Sequence, residues 1–229
     1  MYSIIDACIS AKSLKNYSPQ KFNKWYFHFS FGIIILFIAW LFLKSPLSIR
    51  NDYVRYFKIP MTIANEPTIR MSDYIVANMQ AYKNCSPDYG DIAVFSKDNG
   101  FYIYRIVGKP NDTLSVQNNF LIINDKPVNT LFIKTKEINS SQIDEYREQL
   151  PNGREHLIYK FKQTEDSKMT NVDCLIIPED SYFLMGDNRD NAYDSRYFGF
   201  VKRDQIIGKA TCILFGVSFD RVNTDLNVN

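Results

Sequence analysis

The chain has 229 residues and a formal net charge of +2. That is long enough to bury a proper core in one or two units, and too near neutrality to imply a nucleic-acid partner from charge. Aromatic residues make up 15% of the chain, which leans toward strands. The four cysteines (Cys8, Cys85, Cys174 and Cys212) form no CxxC pair and have no histidine at ligand spacing, so we expect neither a zinc site nor any other metal or cofactor.

Trp25 to Leu43 reads WYFHFSFGIIILFIAWLFL, with His28 and Ser30 its only strongly polar side chains. At helical rise this run reaches across a bilayer core of roughly 30 Å. Trp25, Tyr26 and Trp40 stand near its ends, where amphipathic rings favour the interface. A cleaved secretory signal would usually be shorter and end in small residues, and Ala39-Trp40-Leu41-Phe42-Leu43 offers no such site. The run is therefore read as a retained transmembrane anchor over 25–43, after a segment 1–24. Lys12, Lys15, Lys21 and Lys24 precede it, while Lys44, Arg50, Arg55 and Lys58 follow. Charge alone thus leaves its orientation open. His28 is read as a tolerated residue near the headgroups.

Beyond Ser45 short alternating runs replace the continuous apolar one. Tyr74–Ala77, Asp91–Phe95, Phe101–Val107 and Phe120–Ile123 are strand-like. Turn signals at Asp98-Asn99-Gly100, Lys109-Pro110-Asn111-Asp112 and Asn124-Asp125-Lys126-Pro127 separate them. This spacing predicts a mainly β, antiparallel, barrel-like domain over 44–130 and 174–229. Residues 131–173 are more polar and read as an inserted subdomain. Within it, Ser140–Leu150 (SSQIDEYREQL) is predicted helical, and 151–159 a turn into a strand that carries His156. The cysteines are expected to be buried free thiols, with a Cys85–Cys174 bridge as the alternative.

Gly186–Ala210 reads GDNRDNAYDSRYFGFVKRDQIIGKA. As a calcium loop it fails, because Phe198 stands at the twelfth position from Asp187 where an acid is needed. As a structural corner it is coherent. Asp and Asn satisfy their own backbone in tight turns, and Arg196 can pair bidentately with Asp187 or Asp194. The stretch closely resembles the last signature block of type I signal peptidases, membrane serine peptidases that remove leader peptides from exported proteins. The resemblance extends from about Phe57 to Ala210. The insertion is similar to one that Gram-negative members carry before this block. The resemblance also implies a bacterial cytoplasmic (inner) membrane location, with the amino terminus in the cytoplasm and the bulk of the chain on the extracytoplasmic side.

Such an enzyme needs an exposed serine, a lysine that loses its proton near neutral pH, and donors aimed at the developing oxyanion. The family's serine segment, roughly I-P-S-G-S-M-x-P-T, corresponds to Ile59–Thr68 here, with one extra residue. Anchored on Glu66-Pro67-Thr68, the nucleophile position is Ala64; anchored on Ile59-Pro60, it is Ile63. The lysine strand corresponds to Tyr102–Asp112, and the lysine position is Tyr104. A phenol with a pKa of about 10 is a poor base at pH 7, and Arg105 stays charged. The serine that orients the lysine is replaced by Ala192.

The resemblance thus implies a signal-peptidase scaffold whose Ser-Lys dyad is replaced. It would bind exported preproteins or signal peptides, contact membrane lipid, or assist an active peptidase or secretion complex. Phe57, Ile59, Tyr102 and Ile103 match positions that line the family's substrate pockets, and Thr62 the one that lends an oxyanion hydroxyl. An active enzyme with Thr62 as nucleophile and Lys58 as relocated base is the rival reading, and a purely structural membrane subunit a third.

Overall fold

The apolar run begins a 29-residue helix, α1 (Trp25–Tyr53). The computed structural model describes residues 25–60, 63–138, 141–162, 170–216 and 219–226, less the side chains of 25–27 and 41–51. The chain divides into two units, Met1–Arg50 and Asn51–Asn229. Along α1, His28 and the run Ile33–Phe37 are exposed, so the stretch 33–37 is apolar on every side. Among the described residues no helix is long and apolar enough to cross a membrane. The predicted anchor extends past the side chains described there.

The second unit is built from strands. In chain order these are β1 (Val54–Lys58), β2 (Tyr74–Asn78), β3 (Ile92–Lys97), β4 (Gly100–Gly108), β5 (Thr113–Gln117), β6 (Phe120–Ile123), β7 (Lys126–Pro127) and β8 (Asn129–Ile138). There follow β9 (Ser141–Gln149), β10 (Glu155–Phe161), β11 (Val172–Ile176), β12 (Ser181–Met185), a short helix α2 (Ser195–Phe198), β13 (Val201–Lys202), β14 (Ile206–Phe215) and β15 (Thr224–Asp225). The main sheet has the order β1-β2-β14-β3-β4-β12-β13, with β15 added to β14. A second sheet runs β11-β5-β6-β7 and a third β10-β9-β8. All the strand pairs are antiparallel.

Local turn chemistry sets three of the hairpins. Asp98-Asn99, Asn118-Asn119 and Asn124-Asp125 all have positive φ at both residues. Each pair joins consecutive strands directly, since Lys97 faces Gly100, Gln117 faces Phe120 and Ile123 faces Lys126. Two residues of left-handed conformation match the twist of a hairpin, and Asn and Asp accept that conformation more readily than most side chains.

One expectation is overturned. Ser140–Leu150 is not a helix: Ser141–Gln149 is the central strand of the third sheet, between β8 and β10. Its buried residues include two acids, Glu145 and Glu148, beside the single apolar Ile143. Glu145 pairs with Lys136 and Glu148 with Arg189. Ion-paired acids at inward positions erase the alternation by which a strand is recognised. The expectation of buried thiols also fails, because Cys85 and Cys174 are exposed and Cys212 is half-buried. All three are free, so the Cys85–Cys174 bridge is absent. Cys8 lies outside the described residues.

Between the main sheet and the second sheet, Val107, Leu114, Val116, Leu121, Ile177, Phe183 and Met185 form one core cluster. Gly108 sits against it. A Cβ there would overlap the Ile177 Cδ1 and stand 2.9 Å from the Leu114 Cδ1 and 3.1 Å from the Phe183 Cβ. Gly108→Ala should therefore destabilise the β unit by about 1–3 kcal/mol, measured as a lower urea midpoint at unchanged slope.

Candidate functional site

The site begins with the geometry of β4. The Ile106 amide donates to the Asp91 carbonyl, and the Ile106 carbonyl accepts from the Gly90 amide, both at 2.9 Å, so this residue faces the β3 side. Alternation along an antiparallel strand turns the peptide groups of Arg105, Ile103 and Phe101 to the opposite side. There β12 pairs with β4 only from Gly108 to Arg105. Phe101 and Ile103 therefore line a stretch of strand edge that has no strand partner on that side among the described residues. The Asn65 side chain reaches this edge, where its Nδ2 donates to the Ile103 carbonyl at 2.7 Å.

Beside the edge lies a groove of about 450 Å³, lined by Phe57, Lys58, Ile59, Pro60, Ala64, Asn65, Phe101, Tyr102, Ile103 and Tyr104. All four residues expected to bind peptide (Phe57, Ile59, Tyr102 and Ile103) line it. So do Ala64 and Tyr104, expected at the nucleophile and lysine positions. Thr62 lies outside the described residues. Ala64, Tyr104 and Ala192 belong to one buried cluster with Phe95, Ile106 and Leu184. Three distant segments thus meet at one point. Gly186 stands between two of them: a Cβ there would overlap the Ala64 carbonyl oxygen and lie 2.5 Å from the Ala192 Cβ. The Asn188 amide closes the contact by donating to the Ala64 carbonyl at 3.0 Å.

The chemistry available at this point is limited. Ala64 and Ala192 present methyl groups. The Tyr104 ring packs near Phe95 and Phe198, at centroid distances of 6.2 and 6.4 Å. Burial pushes its phenol above the ordinary range, and the negative charge of Asp194 adds to that. A raised phenol holds its proton more firmly, which removes it further from the role of a base.

Behind the methyl groups lies a dense set of buried ion pairs. Arg105, next to Tyr104, binds Asp187 bidentately through Nε and Nη2, both at 2.8 Å. The Thr68 hydroxyl donates to the same carboxylate at 2.5 Å. Arg196 pairs with Asp194 rather than Asp187, through Nε at 2.9 Å and Nη2 at 2.8 Å. Asp194 also accepts from the Gly186 amide at 3.0 Å. Asp190 accepts from Asn119 at 2.6 Å and from the Phe161 amide at 2.8 Å. Arg189, fully buried, binds Glu148 at 2.5 and 3.1 Å. Burial alone would raise Asp187, but the Arg105 charge and hydrogen bonds hold it below its usual range. For Glu148 burial is again the largest single effect and acts upward, but Arg189 and His156 together outweigh it and hold the carboxyl at about 2.

Several of these residues carried no signal in the sequence. Asn65, Asn119 and Glu148 act through partners tens of residues away, and Glu148 fell in the segment read as a helix. His156 does sit on a strand, β10, but it is buried in this corner rather than being an isolated strand residue. Its Nε2 lies 3.3 Å from Glu148 Oε1 and 3.9 Å from Asp187 Oδ1, and neither ring nitrogen has an aligned hydrogen-bond partner. Among the described residues no cluster of His, Cys, Asp or Glu is placed to hold a metal ion.

An open strand edge, an apolar groove beside it and a buried acid–arginine corner behind it define an antiparallel β scaffold with a groove along one strand. A family model described as "Signal peptidase, peptidase S26" matches residues 24–215. The chain belongs to that family. It is 31% identical over 218 residues to a signal peptidase I of Rickettsia akari (strain Hartford), covering 87% of this chain and 82% of the relative. It is 29% identical over 219 residues to one of Rickettsia canadensis (strain McKiel), with the same coverage. A crystal structure of a signal peptidase I from Enterococcus faecalis V583 is 27% identical, with a TM-score of 0.35, covering 54% of this chain and 96% of that one.

The His156 corner predicts a pH dependence. Burial, then the positive charge of Arg105, pushes the imidazole below its ordinary value. Between about 6.5, the unfolded value, and the lower folded value, the unfolded chain binds a proton that the folded chain refuses. Stability should therefore fall as pH drops through that window. Glu148 and Asp187, both held low, remain charged there and contribute their loss only at more acidic pH. Thermal melting between pH 8 and 5 should show Tm declining below about pH 6.5, and His156→Gln should flatten that part of the curve.

Proposed function

We propose that this chain is a non-catalytic member of the signal peptidase family that binds the leader segments of exported preproteins. In this role it would assist an active peptidase or secretion apparatus. The observation that carries the reading is the meeting of Ala64, Tyr104 and Ala192 in one buried cluster, at the end of an apolar groove beside an open strand edge. The three positions that would supply nucleophile, base and base-orienting hydroxyl hold two methyl groups and a buried phenol. The groove keeps what peptide addition needs, main-chain groups for hydrogen bonds and apolar walls for alternate side chains.

In this reading the 25–43 run is a single-pass anchor in a bacterial cytoplasmic membrane, with residues 1–24 on the cytoplasmic side and the β unit on the other. The exposed, wholly apolar stretch of α1 supports it. The rival enzyme, with Thr62 as nucleophile, finds support in Lys58, which lines the same groove.

Incubation with a preprotein carrying an Ala-x-Ala site separates the two. The wild-type chain should leave it intact, and the triple variant Ala64→Ser, Tyr104→Lys, Ala192→Ser should gain measurable cleavage. Wild-type cleavage that disappears in Thr62→Ala would overturn the reading. A labelled leader peptide should bind the wild-type chain, and Ile103→Trp should weaken that binding on the order of tenfold, equivalent to about 1.4 kcal/mol. Absence of binding would favour a purely structural subunit.

A further inference from the structure

The open edge of β4 is not entirely empty. Asn65 directly follows Ala64, and its side chain is turned into the fold, leaving the residue 9% exposed. The Nδ2 donates to the Ile103 carbonyl at 2.7 Å. That carbonyl faces away from β3, on the side where no strand among the described residues continues the sheet. A primary amide delivering one N–H to an edge carbonyl does what the backbone of an added strand would do. The loop fixes it in that position. The Asn65 carbonyl accepts from the Ile69 amide at 2.9 Å, and the preceding Ala64 carbonyl accepts from the Asn188 amide at 3.0 Å. With the backbone pinned on both sides, the carboxamide is held at one register of the edge.

We infer that Asn65 is a gate on the peptide groove, standing in for the first main-chain hydrogen bond of an added strand. The inference rests on the peptide-binding reading above. An extended peptide that pairs with β4 at Ile103 must first expel the carboxamide. The peptide gains one hydrogen bond there and the protein loses one, so this register contributes nothing net to affinity. The gate thus favours ligands whose side chains fill the apolar groove over ligands held by main-chain pairing alone. In the family segment the corresponding residue is methionine, whose side chain has no N–H to donate.

The test is fluorescence anisotropy of a labelled leader peptide with the purified full chain and its Asn65→Met and Asn65→Ala variants. Both variants should bind about fivefold or more tightly than wild type, the worth of one net hydrogen bond. Adding Ile103→Trp to Asn65→Met should abolish the gain, which locates it at the groove rather than in general loosening. Asn65→Asp keeps the side-chain size but sets a carboxylate against the carbonyl, and should bind tightly as well; it serves where a variant melts early. Equal, measurable affinity for wild type and variants would overturn the gate and leave peptide binding standing. Absence of binding to every form, with melting curves showing them folded, would overturn peptide binding and the gate together.

Discussion

The bidentate pair between Arg105 and Asp187 is the interaction on which the arrangement of the site depends. Both side chains are almost fully removed from water. An isolated charge in such a place is very costly, and removing one partner of a buried pair typically costs about 3–5 kcal/mol. The chain therefore adopts the fold in which these two groups meet. The consequences are local and specific. Arg105 follows Tyr104 on β4, Asp187 follows Gly186 at the end of β12, and Thr68 brings the loop after Ala64 to the same carboxylate. One ion pair thus fixes three segments that are far apart in sequence, and with them the positions of Ala64, Tyr104 and Gly186.

The neighbouring pairs extend this logic outward. Arg196 neutralises Asp194, which in turn holds the Gly186 amide. Arg189 neutralises Glu148 on β9 and donates to the Asn119 carbonyl between β5 and β6. Asp190 takes hydrogen bonds from Asn119 and from the Phe161 amide of β10. The stretch from Asp187 to Arg196 therefore connects the main sheet with the second and third sheets. Each of its charges has a structural partner, so the motif has a complete set of tasks that involve neither a nucleophile nor a base. This is why a motif match identifies the scaffold and leaves the activity to be argued from other residues.

How much of this could be read from the sequence depends on how local the physics was. The Asp98-Asn99 and Asn124-Asp125 turns were legible because a left-handed pair between apolar runs is a short-range signal. The strands around 74–78, 92–97, 100–108 and 120–123 followed from their alternation. Strand β9 was illegible because its inward acids, Glu145 and Glu148, are neutralised by Lys136 and Arg189. Nothing within the segment announces those partners. The burial of the thiols, though not their free state, was misjudged for a related reason, since a cysteine's burial is set by whatever packs around it. At the site, the family resemblance pointed to Ala64 or Ile63, to Tyr104 and to Ala192, and the fold brings Ala64, Tyr104 and Ala192 into one cluster. The Asn65 contact with Ile103 spans 38 residues and left no trace in the motif.

The residues at 64, 104 and 192 also form a packed unit. Two methyl groups close around Gly186, where even one more carbon would overlap the Ala64 carbonyl. The Tyr104 ring is covered by Phe95 and Phe198. On the proposed reading this trades a cluster that would have to hold an uncharged amine and a polarised hydroxyl, both costly to bury, for apolar contact. The strand edge is unaffected by that trade, because it is made of main chain. The backbone of β4 presents the same groups at Phe101 and Ile103 whether the residue at 104 is a tyrosine or a lysine. Asn65 acts on that backbone directly. On the proposed reading chemistry and recognition at this site are therefore held by different atoms, the first by side chains at 64, 104 and 192 and the second by the walls of the apolar groove and the edge of β4, so one could be lost without the other.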